Sequence, residues 1–105
     1  MPIRVVALLY PKKDRVARVE EITKEVVNHV KENEPGVLQY EWFRAVAEEP
    51  TIVVLETYAD QAAIDNHKAS PKMAWLVETE KKEGNMAKPI QIIPLEQYAG
   101  WASRL

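Results

Sequence analysis

The stretch that decides the fold is IVVLETYADQAAIDNH, residues 52–67. Its β-branched start predicts a strand, on which Glu56 and Tyr58 share one face because strand side chains alternate. Asp60 then stands where a helix N-cap is expected, since its carboxylate can accept backbone N–H groups of the first turn. The helix that follows carries His67. One strand-to-helix junction therefore gathers a carboxylate, a phenol and an imidazole, and we expect any chemistry to take place there.

The composition is that of an ordinary globular protein, and it excludes several classes of function. The chain has 105 residues, 47% of them hydrophobic and 29% charged, with a net charge of -2. These values predict one domain over residues 1–105 and give no electrostatic footprint for nucleic acid or an anionic membrane. The chain has no cysteine, which excludes disulfides, thiolate nucleophiles and sulfur metal ligands. The first apolar run, residues 3–10, is too short to span a bilayer, and we expect a soluble, cytoplasmic protein.

Hydrophobic periodicity and turn residues predict the remaining elements. We predict strands over Ile3–Tyr10, Val37–Val46, Thr51–Ala59 and Pro89–Tyr98, and helices over Asp14–Glu32, over Asp60–Lys68 and from Pro71 to Gly84. The first strand is continuously apolar, as expected for a strand buried on both faces. Pro94 restricts the last strand to a sheet edge or a bulge. This order predicts an α+β, ferredoxin-like βαββαβ domain, a four-stranded antiparallel sheet with its helices on one face.

A sheet of this kind has a second face that its own helices do not cover. Alternation along the second strand places Val37, Gln39, Glu41, Phe43 and Ala45 on one side, and Leu38, Tyr40, Trp42, Arg44 and Val46 on the other. We expect Tyr40 or Phe43, with part of the third strand, to lie on the uncovered face. An apolar patch of that size is unusual in a monomer, so we predict a homodimer in which two sheets pack face to face.

The pattern Glu56-x-Tyr58-x-Asp60-x-x-Ala63-x-x-x-His67, followed by Ser70-Pro71, resembles the antibiotic biosynthesis monooxygenase family of the dimeric α/β-barrel superfamily. The Pro35-Gly36 turn leading into residues 37–42 and a closing strand near residues 90–94 extend the resemblance over nearly the whole chain. It implies a dimeric barrel with a hydrophobic pocket between each sheet and its helices. For the monooxygenases it also implies oxidation of a small electron-rich aromatic (a quinol, phenol or anthrone) by O₂, without metal, flavin or haem.

Haem-degrading relatives form one subgroup of this family, and the sequence departs from their pattern. Those relatives have an asparagine on the first strand, a tryptophan on the second helix and a histidine later in the chain. Here the corresponding places hold Leu8-Leu9, His67 and the region of Val77. The resemblance therefore argues against haem degradation.

His67 is the main catalytic candidate, because an imidazole titrates near neutral pH and suits general-base work. Under the resemblance it would remove a phenolic proton and make the substrate electron-rich enough to react with O₂. Glu56 is the candidate to orient His67, although it could equally pair with Arg44 across the hairpin. Tyr58 could donate a hydrogen bond to a quinone oxygen or simply belong to the core. The alternative for His67 is a partly buried histidine bonded to Glu56 or to a backbone carbonyl.

Two aromatic residues complete the candidate site. Tyr40 and Trp42 share a strand face and could stack on a planar aromatic substrate, or they could form the dimer core. His29 and His67 are the only histidines, so we expect no metal site, and we expect His29 at the surface.

Two alternative functions stay open on sequence grounds. One is a non-oxidative isomerase or decarboxylase of the same fold, which would use the same base. The other is a dimeric module that binds small molecules without catalysis. An interior filled by Trp42, Tyr58 and Met73 would favour the module.

Overall fold

Four strands and three α-helices form the protein in a computed structural model that describes residues 1–105. Their bounds are β1 Ile3–Pro11, α1 Val16–Asn33, β2 Val37–Arg44, β3 Ile52–Tyr58, α2 Gln61–Ala69, α3 Pro71–Glu83 and β4 Met86–Leu95, with a short 3-10 helix, Lys13–Arg15, ahead of α1. Ser70 separates α2 from α3 by accepting the backbone N–H of Met73 as an N-cap, with Pro71 in the first helical position. No helix has the length and apolar character needed to cross a membrane.

The sheet has the strand order β2-β3-β1-β4, and every pair is antiparallel. This arrangement confirms the predicted α+β, ferredoxin-like fold. Pro94 lies on β4, an edge strand, opposite Val5. A proline is tolerated there because it withdraws no donor from the interior of the sheet.

The last strand begins and ends three residues earlier than its predicted bounds of Pro89–Tyr98. Gly84 ends α3 in the left-handed conformation, with φ of 62°. The Glu80 carboxylate then accepts the backbone N–H groups of Asn85 and Met86, each at 3.0 Å. Because these contacts turn the chain at once, the strand starts directly after Asn85.

The core lies between the sheet and α1. On the helix-facing side, Ala7, Leu9 and Val54 pack against Val19. Further along α1, residues at helical spacing form a second buried row, which consists of Ile22, Val26 and Val30. The predicted apolar stripe of the first helix is therefore the stripe that covers the sheet.

The other face of the sheet, which we call the open face, has no cover within the chain. Its apolar side chains are Val6, Leu8, Phe43, Val53, Leu55, Ile93 and Leu95, and Leu95 is 47% exposed. The prediction that β1 is buried on both faces is therefore wrong for the single chain, because Val5, Ala7 and Leu9 are buried while the alternating residues are not. Phe43 lies on the open face as predicted, but Tyr40 does not.

Tyr40 faces the helices because β2 contains a bulge. Val37 pairs with Tyr58 and Gln39 with Thr57, so Leu38 is an extra residue with no partner on β3. The bulge reverses the alternation and places Val37, Tyr40 and Trp42 on one side, against α1. The predicted grouping of Val37 with Gln39 is therefore wrong.

The end of α3 is tied to the start of α1 by Glu83. Its carboxylate accepts two hydrogen bonds from the Arg18 guanidinium, each at 2.8 Å. Arg15 lies 3.3 Å from the same carboxylate, and Asn85 donates to it at 3.2 Å. These donors, Arg18 first, lower the pKa of Glu83 from 4.5 to about 2.

This pKa shift predicts an acid dependence of stability. A carboxylate whose pKa is lower in the folded state stabilises the protein above its unfolded pKa, and that contribution disappears as the pH falls through the folded pKa. We expect Glu83→Gln to be less stable than wild type above pH 4.5 and to converge with it as the pH approaches about 2. Urea unfolding of both proteins across this window measures the difference. Glu48→Gln, in the exposed β2–β3 connection, is the control, and a difference independent of pH would contradict the assignment.

Candidate functional site

His67 lies on α2 and is 8% exposed. Asp60 caps the helix as predicted, because its carboxylate accepts the Ala63 N–H at 2.9 Å. Just before the cap, the Ala59 N–H donates to the Gly36 carbonyl at 2.8 Å. These contacts bring the start of α2 against the turn between α1 and β2.

The partner of His67 on that turn is Glu34. Its Oε1 lies 2.6 Å from His67 Nδ1, and both side chains are about nine-tenths buried, with 9% and 10% exposed. A carboxylate accepts hydrogen bonds, so Nδ1 carries the proton and Nε2 of the neutral ring is left as the proton acceptor. Nε2 has no hydrogen-bond partner in the chain. This is the arrangement in which a carboxylate orients a histidine base.

Glu34 was missed by the sequence reasoning, which assigned the orienting role to Glu56. The two residues of the pair are 33 positions apart, and the Glu34 N–H also ends α1 by donating to the Val30 carbonyl. The available signal was the Pro35-Gly36 turn, which reverses the chain directly after Glu34. A turn of this kind places the side chain that precedes it against the element that packs on the turn.

The close approach at this turn depends on Gly36. A Cβ atom on Gly36 would lie 2.7 Å from the Ala63 Cβ, a distance at which one of the two segments must move. We expect Gly36→Ala to lower the free energy of unfolding by about 1–3 kcal/mol, the usual cost of overpacking. Urea denaturation measures it. In an Ala63→Gly background the cost of Gly36→Ala should largely vanish, and additive effects of the two changes would contradict this reading.

Glu56 is bonded to Tyr58 rather than to His67. The Tyr58 hydroxyl donates to the Glu56 carboxylate, which confirms that the two side chains share a strand face. Burial raises the pKa of Glu56, and the hydrogen bond from Tyr58 and the charge of His67 partly oppose that rise. Burial, followed by the hydrogen bond to Glu56, also raises the pKa of Tyr58. The alternative pairing of Glu56 with Arg44 is wrong, because Arg44 donates to Glu20 on α1.

Aromatic rings enclose the imidazole. The Tyr40 ring lies 5.6 Å from the His67 ring at 70°, and the Tyr58 ring lies 5.7 Å away at 57°. Trp42 stands edge-to-face with Tyr40, with 5.8 Å between ring centroids. Burial raises the pKa of Tyr40, as do the nearby charges of Glu56 and Glu34. The candidate residues Tyr40, Trp42, Glu56, Tyr58 and His67 therefore all lie on the helix-facing side of the sheet.

His29 joins this group from α1. Its Nε2 lies 3.7 Å from Glu34 Oε2, and its side chain is partly buried rather than at the surface as predicted. No group of three or more histidines and carboxylates is arranged to hold a metal ion. Glu34 thus stands between two imidazoles, one near each carboxylate oxygen.

Two cavities of about 290 Å³ each flank the site without reaching its centre. The turn cavity is lined by residues 33–37 and, across from them, by Ala59, Asp60, Ala62, Ala63 and Asn66. The other lies between α1 and the β2–β3 hairpin, beside Trp42 and Lys24. Neither is lined by His67, Glu56 or Tyr58. Tyr40, which borders the imidazole, packs with Trp42 and Met73 on the buried row of α1.

Comparison with known proteins relates this chain to a protein family. The family model described as antibiotic biosynthesis monooxygenase matches residues 2–79. A candidate antibiotic biosynthesis monooxygenase from Caulobacter crescentus is 30% identical, with a TM-score of 0.85 over 93% of this chain and 91% of that one.

Two more distant structures share the fold. Rv0793 from Mycobacterium tuberculosis is 20% identical, with a TM-score of 0.78 over 97% of this chain and 100% of that one. A conserved protein from Methanosarcina mazei is 19% identical, with a TM-score of 0.81 over 93% of this chain and 94% of that one. None of the curated proteins matches this chain.

Proposed function

Because the chain belongs to the antibiotic biosynthesis monooxygenase family, we propose that it is a cofactor-independent monooxygenase of small electron-rich aromatics. Its substrate would be a quinol, a phenol or an anthrone-type compound, and its oxidant would be O₂. The observation that carries the proposal is the buried pair of Glu34 and His67, 2.6 Å apart. The rings of Tyr40 and Tyr58 lie beside the imidazole. A buried carboxylate–imidazole pair supplies the base that this chemistry requires.

In this proposal His67 Nε2 removes the phenolic or carbon-bound proton that activates the ring. Glu34 keeps the other ring proton on Nδ1 and stabilises the imidazolium that forms. The resulting aromatic anion is electron-rich enough to react with O₂. For an anthrone, one oxygen atom replaces the two methylene hydrogens as a new carbonyl, and the second oxygen atom leaves with those hydrogens as water.

Tyr40, Trp42 and the Glu56–Tyr58 pair act as pocket groups. The edge-to-face geometry of Tyr40 and Trp42 offers ring surfaces for a planar substrate. A Tyr58 hydroxyl with a raised pKa stays protonated at neutral pH, so it can donate a hydrogen bond to a substrate oxygen in place of Glu56.

In this proposal substrate entry involves a movement of α3, whose Met73 packs on the same buried row of α1 as Tyr40 and Trp42. The packing of α3 is suited to this, since Thr79 is its only buried residue and Val77 is 55% exposed. An element with few buried contacts is among the first to open. We infer that a planar substrate displaces Met73 and enters between α3 and β2.

The open face supports a homodimer as part of the proposed function. Seven apolar side chains from all four strands lie side by side there, with Leu55 and Val6 paired at its centre. A contiguous patch of this kind marks an interface. A second copy is the occupant that the family resemblance implies.

Neither of the two cavities is lined by His67, Glu56 or Tyr58, which favours a second candidate, a dimeric module that binds a small molecule without catalysis. Oxygen uptake with a panel of hydroquinones, phenols and anthrones separates the two. We expect uptake by the wild-type protein that the His67→Ala control does not show. Uptake equal to that control across the panel would contradict the oxidative proposal. Substrate conversion in the absence of O₂ would instead establish an isomerase or decarboxylase.

A further inference from the structure

His29, on α1, lies beside the carboxylate oxygen of Glu34 that His67 does not contact. Its Nε2 is 3.7 Å from Glu34 Oε2, and its side chain is 23% exposed. This oxygen is buried without a hydrogen-bond partner, whereas Oε1 is held by His67 Nδ1. A distance of 3.7 Å is beyond hydrogen-bond length, so His29 acts on Oε2 through the charge distribution of its ring. The position of the ring proton therefore determines whether His29 attracts the carboxylate.

Asn33 fixes which nitrogen of His29 carries that proton. The Asn33 side-chain nitrogen donates to the His29 carbonyl at 3.0 Å. A carbonyl only accepts, so this end of the amide is its NH₂ group. The same nitrogen lies 3.3 Å from His29 Nδ1, which is therefore an acceptor, and the neutral ring carries its proton on Nε2. Neutral His29 thus presents a partial positive charge to the buried carboxylate.

Without that N–H group, a second orientation of Glu34 would compete with the first. Burying a carboxylate oxygen without a donor is costly. Glu34 and Asn33 also line the turn cavity, so rotation of the Glu34 side chain toward the cavity would hydrate the carboxylate. The same rotation would break the 2.6 Å contact with His67 Nδ1 and free the imidazole to exchange tautomers. The attraction of the His29 N–H opposes this rotation.

We propose that His29 is a positioning residue, which holds the Glu34 carboxylate on His67 Nδ1 and so keeps His67 Nε2 free to accept a proton. Asn33 assists by fixing the tautomer of His29. The effect of His29 on turnover rests on the proposed function, whereas its effect on the His67 ring does not. The two effects are therefore measured separately.

Nuclear magnetic resonance of the protein with isotope-labelled histidine rings measures the tautomers without any substrate. At about pH 9 an ordinary imidazole is neutral. We expect the wild-type protein to carry the ring proton of His29 on Nε2 and that of His67 on Nδ1. A His29 proton on Nδ1 would overturn the proposal, and this measurement needs no variant.

Two substitutions of His29 separate positioning from packing. His29→Leu removes the N–H group, while His29→Gln keeps one in an amide that can extend to the place of Nε2. We expect mixed His67 tautomers and faster exchange of the Nδ1 proton with water in His29→Leu, and wild-type His67 resonances in His29→Gln. Circular dichroism verifies that both variants are folded. Unchanged His67 resonances in His29→Leu, or equal changes in both variants, would overturn the proposal.

Turnover provides the second readout. For an aromatic that the protein oxidises, His29→Leu should lower kcat about twofold to tenfold with KM unchanged, in keeping with the loss of one favourable polar contact. His29→Gln should restore the rate to near the wild-type value. An equal loss in His29→Gln would contradict the positioning role. An absence of O₂ uptake by wild type would contradict the proposed function alone, because the His67 tautomer is measured without substrate.

Discussion

Replacing His67 with alanine is expected to lower kcat/KM by about 10²–10⁴-fold for any substrate that the protein oxidises, the usual contribution of a positioned general base. The buried pair of His67 and Glu34 leads to a second expectation, which concerns the substitution of Glu34. Glu34→Gln keeps the shape of the side chain, but an amide can present its NH₂ group to Nδ1 and so favour the tautomer protonated on Nε2. That tautomer cannot accept a proton from substrate. We therefore expect Glu34→Gln to lower kcat/KM by about 10²-fold or more as well.

Glu56→Gln is the matched control for this comparison. It is the same substitution in a second, partly buried carboxylate that is hydrogen-bonded to Tyr58 and not to His67. Its effect on kcat/KM should be smaller than that of Glu34→Gln. Circular dichroism and urea unfolding verify that all three variants are folded. A loss in Glu56→Gln equal to or larger than the loss in Glu34→Gln would contradict the assignment of Glu34 as the orienting residue.

Leu55→Lys is expected to dissociate the proposed dimer into monomers. Leu55 pairs with Val6 on one side and Glu41 on the other, in the middle of the open face. An ammonium group there stays hydrated in the single chain but would lose its water between two packed sheets, at a cost of several kcal/mol. Each 1.4 kcal/mol weakens association tenfold, so the dimer should be lost at micromolar concentration.

Size-exclusion chromatography with light scattering measures this change. Wild type should have twice the 12.0 kDa mass of one chain, and Leu55→Lys should have the mass of one chain. Val77→Lys introduces the same charge at an apolar residue of α3 that is exposed and outside the open face, and it should remain dimeric. A monomeric wild type, or a dimeric Leu55→Lys protein, would contradict the proposed interface.

The order and type of the elements followed from local signals in the sequence. β-branched runs predicted the strands, the helical spacing in residues 14–32 predicted α1, and Asp60 and Ser70 predicted two helix starts that the structure confirms. These signals act within a few residues of one another. They are therefore visible in a single sequence.

The candidate site could be predicted only in part, because its decisive contact is not local. The spacing of Glu56 and Tyr58 on one strand predicted that they share a face, and their hydrogen bond confirms it. Glu34 meets His67 across 33 positions of sequence, and the approach is set by how closely Gly36 packs on Ala63. The prediction that side chains alternate regularly along β2 was wrong for a related reason. The bulge depends on how β2 pairs with β3 and packs on the helices, and residues 37–44 alone do not specify it.

Leu38 is an extra residue in β2. The length of β2, rather than its composition, therefore keeps the rings of Tyr40 and Trp42 on the helix-facing side of the sheet. Tyr40 and Trp42 are each an odd number of residues from Val37, so regular pleating would turn them away from Val37's side of the sheet. With one residue fewer, either the rings or the turn that carries Glu34 would have to rotate out of the interior. A single insertion or deletion at this place would therefore exchange residues of the helix-facing side for residues of the open face without replacing any aromatic side chain. Among relatives of this fold, the number of residues between the Pro-Gly turn and the first interior aromatic should thus vary with the function of the pocket.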